Sequence, residues 1–313
     1  MTQEWWRELP PAAGAFVMAT GIVSVGLHLT HFDVASWGTF GLAAVAWVVL
    51  AVDFTARLLR DRPRWQSEAA TAPALTGVAA TTVLGTRISL AGWQWVAGVL
   101  LAVAVVVWPV LLVFVVRHWG KRMPGAAFLV CVSTQGVAVL GATLAQAGAG
   151  DWLIWGSLVF FCLGLPLYVA AFTHFDVTQV WEGPGDQWVA TGALAISALA
   201  ASKLAAWQRW TGAGHTVLGV VTLVLLGLCL VGYGVLLAAE VFNNRPGYNI
   251  RRWATVFPLG MTAVAALSTS AALAIHPLHS LGVLLLIGAA AVWVFTFAEL
   301  LRSSWREARA VRP

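Results

Sequence analysis

Long apolar runs follow one another along almost the whole of this 313-residue chain, and that succession restricts it to one class of fold. A helix needs about 20 apolar residues to cross the hydrocarbon core of a bilayer, and it satisfies its own backbone hydrogen bonds where no water can. The runs predict ten helices, near residues 10–29, 36–57, 70–88, 91–117, 124–147, 151–173, 188–207, 214–240, 253–275 and 279–301. Only 10% of the residues are charged and 60% are hydrophobic, whereas soluble domains carry about 25% charged residues. Mean hydropathy is +0.82. A soluble globular enzyme and a disordered chain are both excluded. The expected fold is an all-α polytopic membrane protein, a single transmembrane domain over residues 1–313. The opening residues MTQEWWREL lack the basic start and short apolar core of a cleavable signal, so the first helix is expected to stay in the mature protein.

Every other connection is short, around His31, Gly92, Gly148, Gly212 and Pro277, which predicts five antiparallel helical hairpins. Tryptophan tests this map because its amphipathic ring prefers the membrane interface. Of the 18 tryptophans only Trp47, Trp108 and Trp293 fall mid-span. Cationic residues then set the orientation. Fifteen of the 18 Lys and Arg fall on one side, from Arg7 through the clusters at 57–64, 117–122, 245–252 and 302–312. Arg87, Lys203 and Arg209 fall on the other. This positive-inside bias places both termini in the cytoplasm of a plasma (inner) membrane and explains the basic balance without a nucleic-acid partner.

The two helices of each pair differ in chemistry. Odd-numbered spans are rich in Gly, Ala, Ser and Thr, and four of the five carry Pro; even-numbered spans, such as VAGVLLAVAVVVWPVLLVFVV, are bulkier. Lipid accommodates Leu and Val, while small residues let backbones approach closely. The expected architecture is an inner ring of five odd helices around a central pore, with five even helices outside. Polar and small residues also keep helical spacing: Gly14, Gly21, Ser24 and His28; Gly77, Thr81 and Gly85; Gln135, Ala142 and Gln146. Such stripes either line a shared path or pack helix on helix.

Ionisable residues deep in a span are functional hypotheses by default, and here no carboxylate or histidine is placed mid-span. Asp53, Glu240 and Glu299 sit near the predicted cytoplasmic ends of even helices, where snorkelling or a local ion pair accounts for them. The pattern favours passive conduction over a proton relay. No H-E-x-x-H or G-x-S-x-G motif occurs, so no enzyme is expected. Cys131, Cys162 and Cys229 stand alone in apolar runs, and neither a metal nor another cofactor is expected. Arg87 and Lys203, both on odd helices of the outer half, either draw anions to a pore mouth or snorkel to the interface.

Several segments resemble a known family. Pro11 to Ser24 reads P-x-x-G-A-F-V-M-A-T-G-I-V-S, Ser133 to Gly141 S-T-Q-x-x-A-V-L-G, Gly192 to Ile196 G-A-L-A-I, and Arg252 to Ala263 R-W-A-T-V-F-P-L-G-M-T-A. Their order and spacing resemble the tellurite-resistance/C4-dicarboxylate transporter family. That family includes bacterial tellurite-resistance proteins, yeast malate permease, fungal sulfite exporters and plant guard-cell slow anion channels. The resemblance implies a homotrimer whose protomers each hold a pore of five helical hairpins. It also implies a pore-occluding phenylalanine at Phe257, beside Pro258; by packing alone Phe257 also reads as a core aromatic at a kink. Arg252 stands where the family carries the first Trp of its W-W pair. The long termini of the plant channels are lacking, so phosphorylation control through such tails is not expected.

The combined expectation is a small-anion channel or uniporter gated by Phe257 and Pro258. Thr20, Gly21, Thr81, Gly85, Gln135 and Ser197 would line the pore, and Arg87 and Lys203 would attract anions. Chloride, nitrate, sulfite and C4-dicarboxylates are the candidate partners, with membrane lipid around the protein. A coupled malate or sulfite transporter is the alternative within transport. A structural or signalling membrane protein with closed packing stripes is the alternative outside it.

Overall fold

The structure is a computed structural model and describes residues 11–210, 212–243 and 249–310. Pro10, where the first predicted span begins, and the cations Arg7, Arg245 and Arg312 lie outside the described residues. Within them run ten helices of at least 15 residues. They are α1 (Gly14–Leu29), α2 (Asp33–Arg60), α3 (Thr76–Leu90), α4 (Gln94–Arg117) and α5 (Leu129–Gln146). They continue with α6 (Trp152–His174), α7 (Val189–Ala205), α8 (Ala213–Phe242), α9 (Trp253–Leu273) and α10 (His276–Ala310). Eight stretches are long and apolar enough to cross a membrane; α1 and α3, of 16 and 15 residues, are not among them.

The odd helices start differently from the even ones. A 3-10 turn leads into each: Pro11–Ala13, Ala72–Leu75, Gly125–Phe128, Asp186–Trp188 and Ile250–Arg252. α3 and α5 therefore begin several residues later than the predicted 70 and 124. Pro73 and Pro124 stand at these starts, where a fixed φ and a missing N–H suit the entrance of a helix. At the other extreme α10 outruns its predicted end at 301, because the charged segment RSSWREARA is made largely of good helix formers. Each short link contains a residue of positive φ: His31, Gly92, Gly148 together with Gly150, Gly212 and Ala274.

Packing separates the helices into two shells. α1, α3, α5, α7 and α9 form a closed ring, each touching its two neighbours, and each even helix packs on the odd helix before it. The inner members are 78–100% buried over their most apolar windows where these qualify as spans, against 6–28% for the outer ones. Close approach explains the ring. A Cβ on Gly14 or Gly136 would collide with Thr76 or Thr82, and one on Gly260 would come within 2.9 Å of Ile22.

The three mid-span tryptophans join the shells. Trp47, Trp108 and Trp293, all on outer helices, donate their indole N–H to Thr81, Thr134 and Thr20 on inner ones at 2.9–3.0 Å. Elsewhere Arg57 is held by Asp53 at 2.7 Å and Glu68 at 2.6 Å. Glu68 also accepts from Arg64 at 2.9 Å, and that hydrogen bond raises the Arg64 pKa above its ordinary value. Glu240 pairs with Arg252. These carboxylates are thus locally ion-paired.

Candidate functional site

The inner ring leaves two spaces along its axis. The first, about 330 Å³, lies among the N-terminal ends of the inner helices and is bordered by Met18, Thr76, Leu129, Asp186, Arg251 and Phe257, among others. The second, about 20 Å³, lies towards their C-terminal ends. Every inner helix contributes to it: Ile22 and Val25, Thr82 and Thr86, Gly136, Ile196 and Lys203, Met261 and Ser268. These residues recur at three- and four-residue spacing, so each helix offers one stripe to the axis.

No residue borders both spaces. On α1 and α9 the gap between them is a single turn, from Met18 to Ile22 and from Phe257 to Met261. On α5 and α7 it is two turns, from Leu129 to Gly136 and from Val189 to Ile196. The interruption therefore lies level with Met18 and Phe257. Phe257 is 1% exposed. Across from it α7 carries Gly192, whose missing Cβ would stand 3.4 Å from the Phe257 ring and 2.8 Å from Pro258. Pro258 cannot donate to the carbonyl one turn back, and Thr262 caps the Pro258 carbonyl with its hydroxyl at 2.8 Å. An aromatic ring thus sits at a weakened turn, packed against a glycine.

The other residues singled out from the sequence do not gather around this axis, with one exception. Lys203 borders the second space. Thr20 and Thr81 instead receive the indoles of Trp293 and Trp47. Gln135 donates outward to the Phe161 carbonyl on α6 at 3.1 Å. Ser197 donates to Ala193 within α7 and faces Cys131. Gly21 and Gly85 abut Val83 and Leu140 on neighbouring inner helices. The axial positions are mostly one residue away: Thr82 beside Thr81, Gly136 beside Gln135, Ile196 beside Ser197. One residue on a helix is about a 100° rotation, which turns a lining side chain into a packing one.

Arg87 is also placed away from the axis. It is 1% exposed, and its Nε donates to Ser24 Oγ at 3.2 Å and Ser36 Oγ at 3.1 Å. The guanidinium lies 4.8 Å from the Trp37 ring centroid and 5.5 Å from that of Phe40. It sits behind the inner ring, between α1 and α2, with its charge spread over two aromatic faces. A larger cavity of about 470 Å³, bordered by Trp47, Asp53, Thr81 and Val107, lies off the axis between α2, α3 and α4. Among the described residues no group of three or more His, Cys, Asp or Glu is placed to hold a metal.

The sequence profile of the family described as voltage-dependent anion channel matches residues 8–301. The chain belongs to that family. It is the family of tellurite-resistance and dicarboxylate transporters that the motifs resemble, and its members are channels or transporters rather than enzymes. No curated protein matches the chain. Membership makes the protein a multi-pass membrane protein of an anion-transporting family.

Proposed function

We propose that the protein conducts small anions along the axis of the inner ring, and that the Phe257 ring is the gate. The ten helices cross the plasma membrane as five hairpins, with both termini in the cytoplasm, so the 330 Å³ space is a cytoplasmic vestibule. Three such protomers assemble as the family resemblance implies. One observation carries the reading: the two axial spaces are walled by all five inner helices and separated at the level of Phe257.

Electrostatics supports anions. The positive ends of five helix dipoles converge on the vestibule, and Arg251 borders it. Lys203 is the cation that borders the outer space, and an ammonium can replace part of an anion's hydration. Chloride, nitrate, sulfite and C4-dicarboxylates are the candidates.

The test is anion flux from liposomes loaded with each of these in turn. Phe257→Ala should raise flux of the smallest anions at least about tenfold, the factor equivalent to about 1.4 kcal/mol of barrier. Unchanged flux through folded Phe257→Ala protein rejects the gate.

A further inference from the structure

Arg87 is a buried charge with no carboxylate to balance it. It is 1% exposed, and its Nη1 and Nη2 are buried without a hydrogen-bond partner. Taking a guanidinium out of water without a counter-ion is costly, and the two aromatic faces beside it offset only part of that cost. Local rules broken in this way collect at functional sites.

The fold holds this charge with dipoles rather than with an anion. Ser24 of α1 donates its hydroxyl to the Ser36 carbonyl at 2.7 Å, and Ser36 of α2 donates its own to the Ser24 carbonyl at 2.8 Å. Both hydroxyl hydrogens are then engaged, so both oxygens accept from Arg87 Nε. Two serines orient the guanidinium in this way without neutralising it. Arginine stays protonated in proteins, so the charge is permanent.

The charge stands at the end of the ring that is harder for an anion. The inner helices turn their N-terminal ends to the vestibule, but their C-terminal ends, which carry partial negative charge, to the outer space. Arg87 and Lys203 lie in the last turns of α3 and α7. Lys203 borders the outer space itself. Arg87 does not, but its neighbours do: Thr86 precedes it on α3, and Val25 follows its partner Ser24 on α1. The guanidinium is thus about one helix thickness, about 10 Å, from the space. Among the described residues the carboxylates at this end are exposed. Asp33 faces His28 at 3.2 Å, and Asp151 pairs with Arg209.

We infer that Arg87 is a selectivity-determining residue that acts through the wall of the ring. Its buried charge holds the outer space at a positive potential and favours anions there without touching them. A field in low-dielectric protein reaches across a helix, and a charge buried away from solvent is screened far less by salt than an exposed one. Lys203 instead acts from the edge of the space. The inference rests on the axial pathway proposed above.

The experiment uses the full chain in liposomes with chloride as the probe, in the Phe257→Ala background so that flux is measurable. Arg87→Gln should lower chloride flux about tenfold, the size expected of one unit charge acting over about 10 Å at an effective dielectric of about 20. That variant also removes hydrogen bonds, so a second pair isolates the charge. Trp37 is 46% exposed, and its ring centroid lies 4.8 Å from the guanidinium. Trp37→Glu gives Arg87 a counter-ion and should lower flux about tenfold with Arg87 in place. Trp37→Gln has the same shape without the charge and should conduct like the Phe257→Ala parent. Raising the ionic strength from about 0.01 M to about 0.15 M should leave the ratio of Arg87→Gln flux to parent flux unchanged. Should Arg87→Gln fail to fold, the Trp37 pair decides. Full flux through folded Arg87→Gln, equal flux through Trp37→Glu and Trp37→Gln, or an Arg87→Gln deficit that salt removes overturns the inference and leaves the pathway standing. No flux even through Phe257→Ala overturns the pathway, and this inference with it.

Discussion

The inner helices are less apolar than the outer ones, yet they are the more deeply buried. α5 has every residue from Leu129 to Ala145 buried, whereas α2, longer by ten residues, buries only four. The difference lies in side-chain size. Within a bilayer no hydrophobic effect drives helix against helix, so association depends on close contact, and glycine and alanine supply it. On the outer helices Gly98, Gly156, Gly227, Gly234 and Gly288 have no atom near a would-be Cβ. On the inner ring most glycines are points of contact. Position in the shell, rather than hydrophobicity, decides what a residue can do.

That contrast can be broken from either side. Gly125→Ala has the largest expected effect on stability, because its Cβ would strike the backbone of Asp186 and Gln187. Overpacking against an immovable backbone costs roughly 3 kcal/mol. The yield of folded protein and its thermal midpoint in detergent should both drop, and an unaltered midpoint would show that the five 3-10 turns are not seated as described. Gly98→Ala, on the outer face of α4, is the small-effect counterpart. It meets nothing within 4 Å and should stabilise by about 0.5 kcal/mol through reduced backbone freedom. Equal responses at the two glycines would erase the distinction between shells.

Much of this organisation is legible in the sequence. Small residues in the odd spans and bulk in the even ones follow directly from the packing rule, and the cationic clusters fall at helix ends as the apolar runs require. What the sequence hides is rotation about each inner helix. When a helix is buried on all sides, no polar stripe marks the axis, and Thr81 and Thr82 are chemically identical neighbours. The indole of Trp47 binds one of them and leaves the other to the axial space, a choice made by a side chain 34 residues away. Arg87 closes a helix and so reads as a mouth residue, but two serines and two aromatic rings draw it sideways. Asp186 reads as a linker carboxylate because it precedes the predicted span at 188. The close approach of Gly125 and the Thr255 hydrogen bond to Gly185 pack its backbone inside.

The central claim is that the axis, and not the off-axis cavity, carries the anion. Single cysteines at Thr86 and Thr81 test it, placed in Phe257→Ala protein whose Cys131, Cys162 and Cys229 have been replaced by serine. Thr86 borders the axial space and Thr81 the cavity outside it. A charged, water-soluble thiol reagent should block chloride flux through the Thr86→Cys protein and leave the Thr81→Cys protein conducting. Block at Thr81→Cys with Thr86→Cys unaffected would move the path out of the ring and contradict the account.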